Sequence, residues 1–106
     1  MNVKTKDEAA RVLASVNGEK CFFCDDGTVC CNLAELVGCL EKMTAATYNH
    51  HVTLSRNDFI NWVRDVLGDD KLASDLSTAT DSIEAAKKIT ERINWLRKTV
   101  AQRKVK

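Results

Sequence analysis

Apolar residues recur at three- and four-residue spacing in most of this chain, and polar capping residues punctuate the recurrence. Thr5 with Glu8 three positions on forms a capping-box pattern, and Ala9, Val12, Leu13 and Val16 follow on one helical face, which predicts a helix over 5–16 stopped by Asn17-Gly18. Two short apolar runs, Cys21-Phe22-Phe23-Cys24 and Thr28-Val29-Cys30-Cys31, flank Asp25-Asp26-Gly27, a strong turn signal that predicts a hairpin over 21–31. Asn32 then caps a helix over 32–43, with Leu33, Leu36, Val37, Leu40 and Met43 as its stripe and Cys39 at the margin. Residues 44–54 lack a clear period and read as a loop holding at most a short helical turn.

Ser55 with Asp58 predicts the start of a helix over 55–67, whose Phe59, Val63, Val66 and Leu67 face inward and which ends at Gly68. Asp69 caps a shorter helix over 69–77 carrying Leu72, Ala73 and Leu76. Asp81 with Glu84 opens a last helix over 82–104, and Ile83, Ala86, Ile89, Ile93, Leu96 and Val100 form its inner stripe. The expected fold is mainly α, with about five helices, one small β-hairpin and a long C-terminal helix packed across the others. In that picture the helices at 33–43 and 59–67 form the core with Phe23 wedged between them.

At 106 residues the chain is one domain, large enough to hold a core without metals or disulfides. A net charge of +1 argues against a nucleic-acid binder. The charge is uneven: residues 1–86 carry 8 basic and 14 acidic side chains, whereas residues 87–106 carry 8 basic ones and only Glu91. No stretch approaches the ~20 apolar residues of a membrane span, and the first residues lack the apolar run of a secretory signal. The five cysteines, an odd number, therefore read as reduced thiols in a cytoplasmic protein.

Phe23 with Asp26-Gly27, Asn32-Leu33 to Leu40, His51-Val52, Asn57-Asp58-Phe59, Trp62-Val63, Asp65-Val66-Leu67-Gly68-Asp69 and Leu72-Ala73 together resemble a small family of uncharacterised archaeal and bacterial proteins, a domain of unknown function. The resemblance spans about Cys21 to Leu76. It implies a compact, mostly helical module with a hairpin and no assigned activity. Where that family commonly has aromatic and hydroxyl residues in the hairpin, this chain has cysteines.

The cysteines and histidines are the candidate chemistry. Cys21, Cys24, Cys30 and Cys31 are a possible zinc set. Strand alternation, however, sends Cys21 and Cys24 to opposite faces, and Cys30 and Cys31 likewise. The four sulfurs then split two and two, so no metal and no cofactor is expected, and the cysteines read as small buried hydrophobes. Cys21-x-x-Cys24 lacks the helix N-terminus of a redox motif. A Cys39 pair with His50 or His51 is compatible with the spacing, but no acid–base pair, phosphate loop or hydrolase elbow accompanies it, and no catalytic residue is expected. His51 reads as structural, donating to Asp58 or Asp69, and Trp62 as a packed indole whose N–H finds an acceptor. Trp95, Arg97 and Lys98 on the basic last helix are the candidate partner-binding residues. The expected function is non-catalytic, the binding of another protein or a second copy of the chain; the alternative is a small cysteine-based metal or redox module.

Overall fold

A computed structural model describes residues 3–102, and the first helix, α1 (Lys6–Leu13), starts where the capping pattern places it. The Thr5 hydroxyl accepts the Glu8 N–H at 3.1 Å, and the Glu8 carboxylate accepts the Thr5 N–H at 3.0 Å. The helix ends before residue 16, the expected boundary. Ala14 is already extended, and the Val16 N–H leaves the helix path to donate to the Cys31 carbonyl at 2.8 Å. A single 3-10 turn over Gly18–Lys20 follows.

Strands β1 (Phe22–Phe23) and β2 (Val29–Cys30) form the antiparallel hairpin, with Phe22 opposite Cys30 and Phe23 opposite Val29. The Gly27 N–H returns to the Cys24 carbonyl at 3.0 Å, Gly27 takes φ 91°, and Asp26 Oδ1 accepts the Thr28 N–H at 2.9 Å. Only glycine adopts that φ without strain, and this is why the turn closes at this residue. Alternation sends Phe22, Cys24 and Cys30 inward, while Phe23 and Val29 stand 59% and 47% exposed. Phe22 therefore takes the wedge position expected of Phe23. Its ring stacks on Phe59 at 5.0 Å and meets the edge of Trp62 at 6.0 Å, and Tyr48 stacks on the other side of the cluster against Phe59 at 5.6 Å.

Cys21 and Cys31 are joined by a disulfide, which corrects the expectation of five reduced thiols. The two residues extend the ladder by one non-hydrogen-bonded pair, and their Cα atoms stand 4.4 Å apart, as close as such pairs come. The inference of a cytoplasmic setting from reduced cysteines loses its premise. Among the described residues no helix is long and apolar enough to cross a membrane.

Helix α2 (Leu33–Lys42) is capped by Asn32, whose side chain accepts the Glu35 N–H at 2.8 Å. Residues 44–54 are not the expected loop: α3 (Ala45–His51) occupies most of them, opened by the Thr44 hydroxyl on the Thr47 N–H at 3.1 Å. Its inner face consists of Tyr48 and His51 alone, and two buried positions are too few to reveal a period. Helix α4 (Asp58–Trp62) takes Asn57 as its cap in place of Ser55. It widens into a π turn over Val63–Leu67 that Gly68 closes at φ 81°. The wider turn rotates Val66 out to 37% exposure, whereas Phe59, Val63 and Leu67 are buried as expected.

Helix α5 (Asp70–Leu76) buries Leu72, Ala73 and Leu76, and α6 (Ser82–Ala101) buries Ala85, Ala86, Ile89, Ile93 and Leu96. Helix α6 packs chiefly against α1 and α2, so the core is organised around it and not around a pairing of the helices at 33–43 and 59–67. Ile83, 60% exposed, and Val100, 38% exposed, do not belong to the seated stripe. The helix ends at Ala101, with Gln102 already extended, short of the expected residue 104, and residues 103–106 lie outside the described residues.

Candidate functional site

Three free cysteines meet where the hairpin lies on α2: Cys24 from the turn, Cys30 from β2 and Cys39 from the middle of α2, all buried. The Cys30 thiol donates to the Glu35 carbonyl at 3.6 Å. The Cys24 sulfur, a carboxylate oxygen of Asp26 and the Cys39 sulfur are all within 4.8 Å of one another. Burial pushes the Cys24 thiol from 9.0 up to about 12 and raises those of Cys30 and Cys39 as well. Such thiols stay protonated and are poor nucleophiles at neutral pH. The hairpin thus separates its sulfurs by face, with Cys21 and Cys31 bonded on one side and Cys24 and Cys30 on the other beside Cys39, a residue the zinc set drawn from the hairpin alone omits.

His51 sits 5% exposed at the end of α3 with both ring nitrogens engaged. Nε2 accepts the Asp25 N–H at 2.9 Å, so the ring proton is on Nδ1, which donates to Asp58 Oδ2 at 2.9 Å. Of the two carboxylates considered for it, Asp58 is the partner. No ring nitrogen is left for Cys39, and His50 is turned toward Asp25 at 3.6 Å. A Cys–His nucleophilic pair is not assembled. The Trp62 N–H donates to the Lys20 carbonyl at 2.8 Å, pinning the 3-10 turn to α4.

Asp69 and Arg92 form a contact that sequence reasoning did not find. Asp69 is fully buried, caps α5 by accepting the Leu72 N–H at 3.1 Å, and receives Arg92 Nε at 2.7 Å and Nη2 at 2.9 Å. Arg92, one of the basic residues of the last helix, is spent inside the fold, and its guanidinium also covers the Trp95 ring at 4.4 Å.

Trp95 remains 44% exposed on α6. It forms a ridge between two open hollows of about 460 Å³ each, one walled by Lys71, Asp75, Glu91 and Arg92, the other by Lys98, Thr99 and Gln102. Arg97 lies about 160° round the helix from Trp95. The candidate trio therefore separates, with Trp95 and Lys98 side by side and Arg97 on another flank.

No family model, curated protein or solved structure matches this chain.

Proposed function

We propose that this is a non-catalytic binding module that meets an acidic protein surface, a second copy of the chain included, through the C-terminal part of α6. The observation that carries the reading is the end of the apolar stripe. Ala86, Ile89, Ile93 and Leu96 are seated on the body, Val100, the next position on the same line, is left 38% exposed, and Trp95 on another flank of the same helix end is 44% exposed. Trp is among the residue types that most often carry binding energy at protein interfaces, and Lys98 adjoins this one. Charge supports the choice of partner: residues 87–106 are strongly basic and residues 1–86 acidic, so one copy offers the complement of another. The engaged nitrogens of His51 and the raised thiol pKa values support the non-catalytic part of the reading.

Sedimentation over a range of protein and salt concentrations tests it. The mass should rise with concentration at low salt and fall as salt is added, and Trp95→Ala with Lys98→Glu should weaken association by about tenfold or more. A monomer at every concentration, together with unchanged capture of acidic protein partners by the double variant at all salt concentrations, would sink the proposal.

A further inference from the structure

We propose that Cys24, Asp26 and Cys39, with Cys30 beside them, form a binding site for a thiophilic divalent cation of the zinc class. Three facts of placement point to it. The donors come from separate elements, the turn of the hairpin, β2 and the middle of α2, and their convergence at one point is a property of the fold and not of a local motif. The three principal donor atoms already lie within 4.8 Å of one another, whereas ligands on a tetrahedral zinc with bonds of about 2.0–2.3 Å stand about 3.5–3.8 Å apart. Small side-chain rotations close that difference. Cys30, in the same buried cluster with its thiol on the Glu35 carbonyl, is the sulfur that a rotation could add as a fourth ligand.

Three buried thiols alone would be ordinary core. Asp26 changes the picture, because this exposed carboxylate stands beside two of the sulfurs at their solvent side, held there by its bond from the Thr28 N–H. An open hollow of about 430 Å³ walled by Asp26, Thr28, Val29, Gly38 and Cys39 leads from solvent to the cluster. Gly38 forms part of its wall, with nothing within 4 Å of where a side chain would begin.

The donor set selects the ion. Sulfur excludes calcium and magnesium, which take oxygen ligands, and a carboxylate among thiolates suits borderline zinc better than soft monovalent copper. Each thiol that ligates releases its proton to solvent, so the neutral buried thiols become charge-compensated thiolates around the cation. Cys21 and Cys31 take no part, being bonded to each other on the opposite face.

Cobalt(II) added anaerobically to the metal-free protein is the probe. One equivalent should produce a thiolate-to-cobalt charge-transfer band with the intense visible bands of tetrahedral coordination, zinc should bleach both, and zinc should raise the melting temperature until a chelator reverses it. Cys39→Ser should abolish the charge-transfer band. Asp26→Asn retains an acceptor for the Thr28 N–H and leaves the core untouched, so it stays folded even if the serine variant does not; it should weaken cobalt binding by roughly tenfold or more. The absence of a charge-transfer band in the parent at excess cobalt, or an affinity unchanged by Asp26→Asn, would overturn the site.

Discussion

Asp69 and Arg92 join the start of α5 to the middle of α6 through two parallel hydrogen bonds of 2.7 and 2.9 Å, the carboxylate fully buried and the guanidinium nearly so. The carboxylate also holds the cap of α5, so one side chain fixes a helix end and the packing of its neighbour. Removing either partner strands the other charge in the interior. Arg92→Ala and Asp69→Ala should each cost about 3–5 kcal/mol in urea unfolding, and Arg92→Lys should recover little, because an ammonium cannot supply the fork. A loss below about 1 kcal/mol for either alanine variant would show that the pair is solvent-screened.

Phe22 and Phe23 are adjacent and chemically identical, yet strand alternation gives them opposite environments. Phe22→Ala removes a ring packed against Phe59 and Trp62 and should cost about 3–5 kcal/mol, while Phe23→Ala should stay within about 0.5 kcal/mol. Denaturant midpoints of the two variants decide the orientation of the hairpin; equal losses would contradict it.

His51 ties the hairpin turn to α4 through Asp25 and Asp58. His51→Gln should lower stability by about 1–2 kcal/mol, because the Asp25 N–H and the Asp58 carboxylate lose their partner together. The unfolding slope should stay at the parent's value, since the fold itself persists. A variant as stable as the parent would mean that water replaces the ring.

Alkaline pH should weaken the fold through the buried thiols. Cys24 rises from 9.0 in the unfolded chain to about 12 in the folded one, so its contribution is complete below pH 9 and is lost as the pH climbs toward 12. Each such thiol accounts for at most about 1.4 kcal/mol per pH unit in that window. Cys30, Cys39 and Tyr48 are shifted upward by burial too and act in the same direction. Comparing metal-free parent with Cys24→Ala isolates the thiol: the variant's stability should fall less steeply above pH 9, and parallel curves would refute the assignment.

The elements legible in the sequence were those with long periodic faces or strong caps. Asp69, Asp81, Asn32 and Thr5 mark helix starts that the structure reproduces, and Leu33, Leu36 and Leu40 lie on the buried side of α2 as their spacing requires. Helix α3 escaped because its buried face is two residues long, and Val66 was misplaced because the π turn breaks the period on which the expectation rested. The thiol cluster could not be found from Cys-x-x-Cys spacing. Its third sulfur, Cys39, belongs to a different element, and only the docking of α2 against the hairpin brings it in. Nor could charge alone assign Arg92, since a buried cation paired to a cap residue has the same local sequence as a solvated one.

The bond between Cys21 and Cys31 closes a short loop, with the two residues only 10 positions apart. It also acts as a lock on register. A two-stranded ribbon with short strands can slide by one residue, and a slide of β2 past β1 would bring Val29 to the face that holds Phe22 and put Cys30 in solvent. The crosslink forbids the slide at a cost in unfolded-chain entropy of about 2–3 kcal/mol. Which two of the four hairpin thiols stay free is therefore decided by the even and odd positions of the strands, before any difference in reactivity can act.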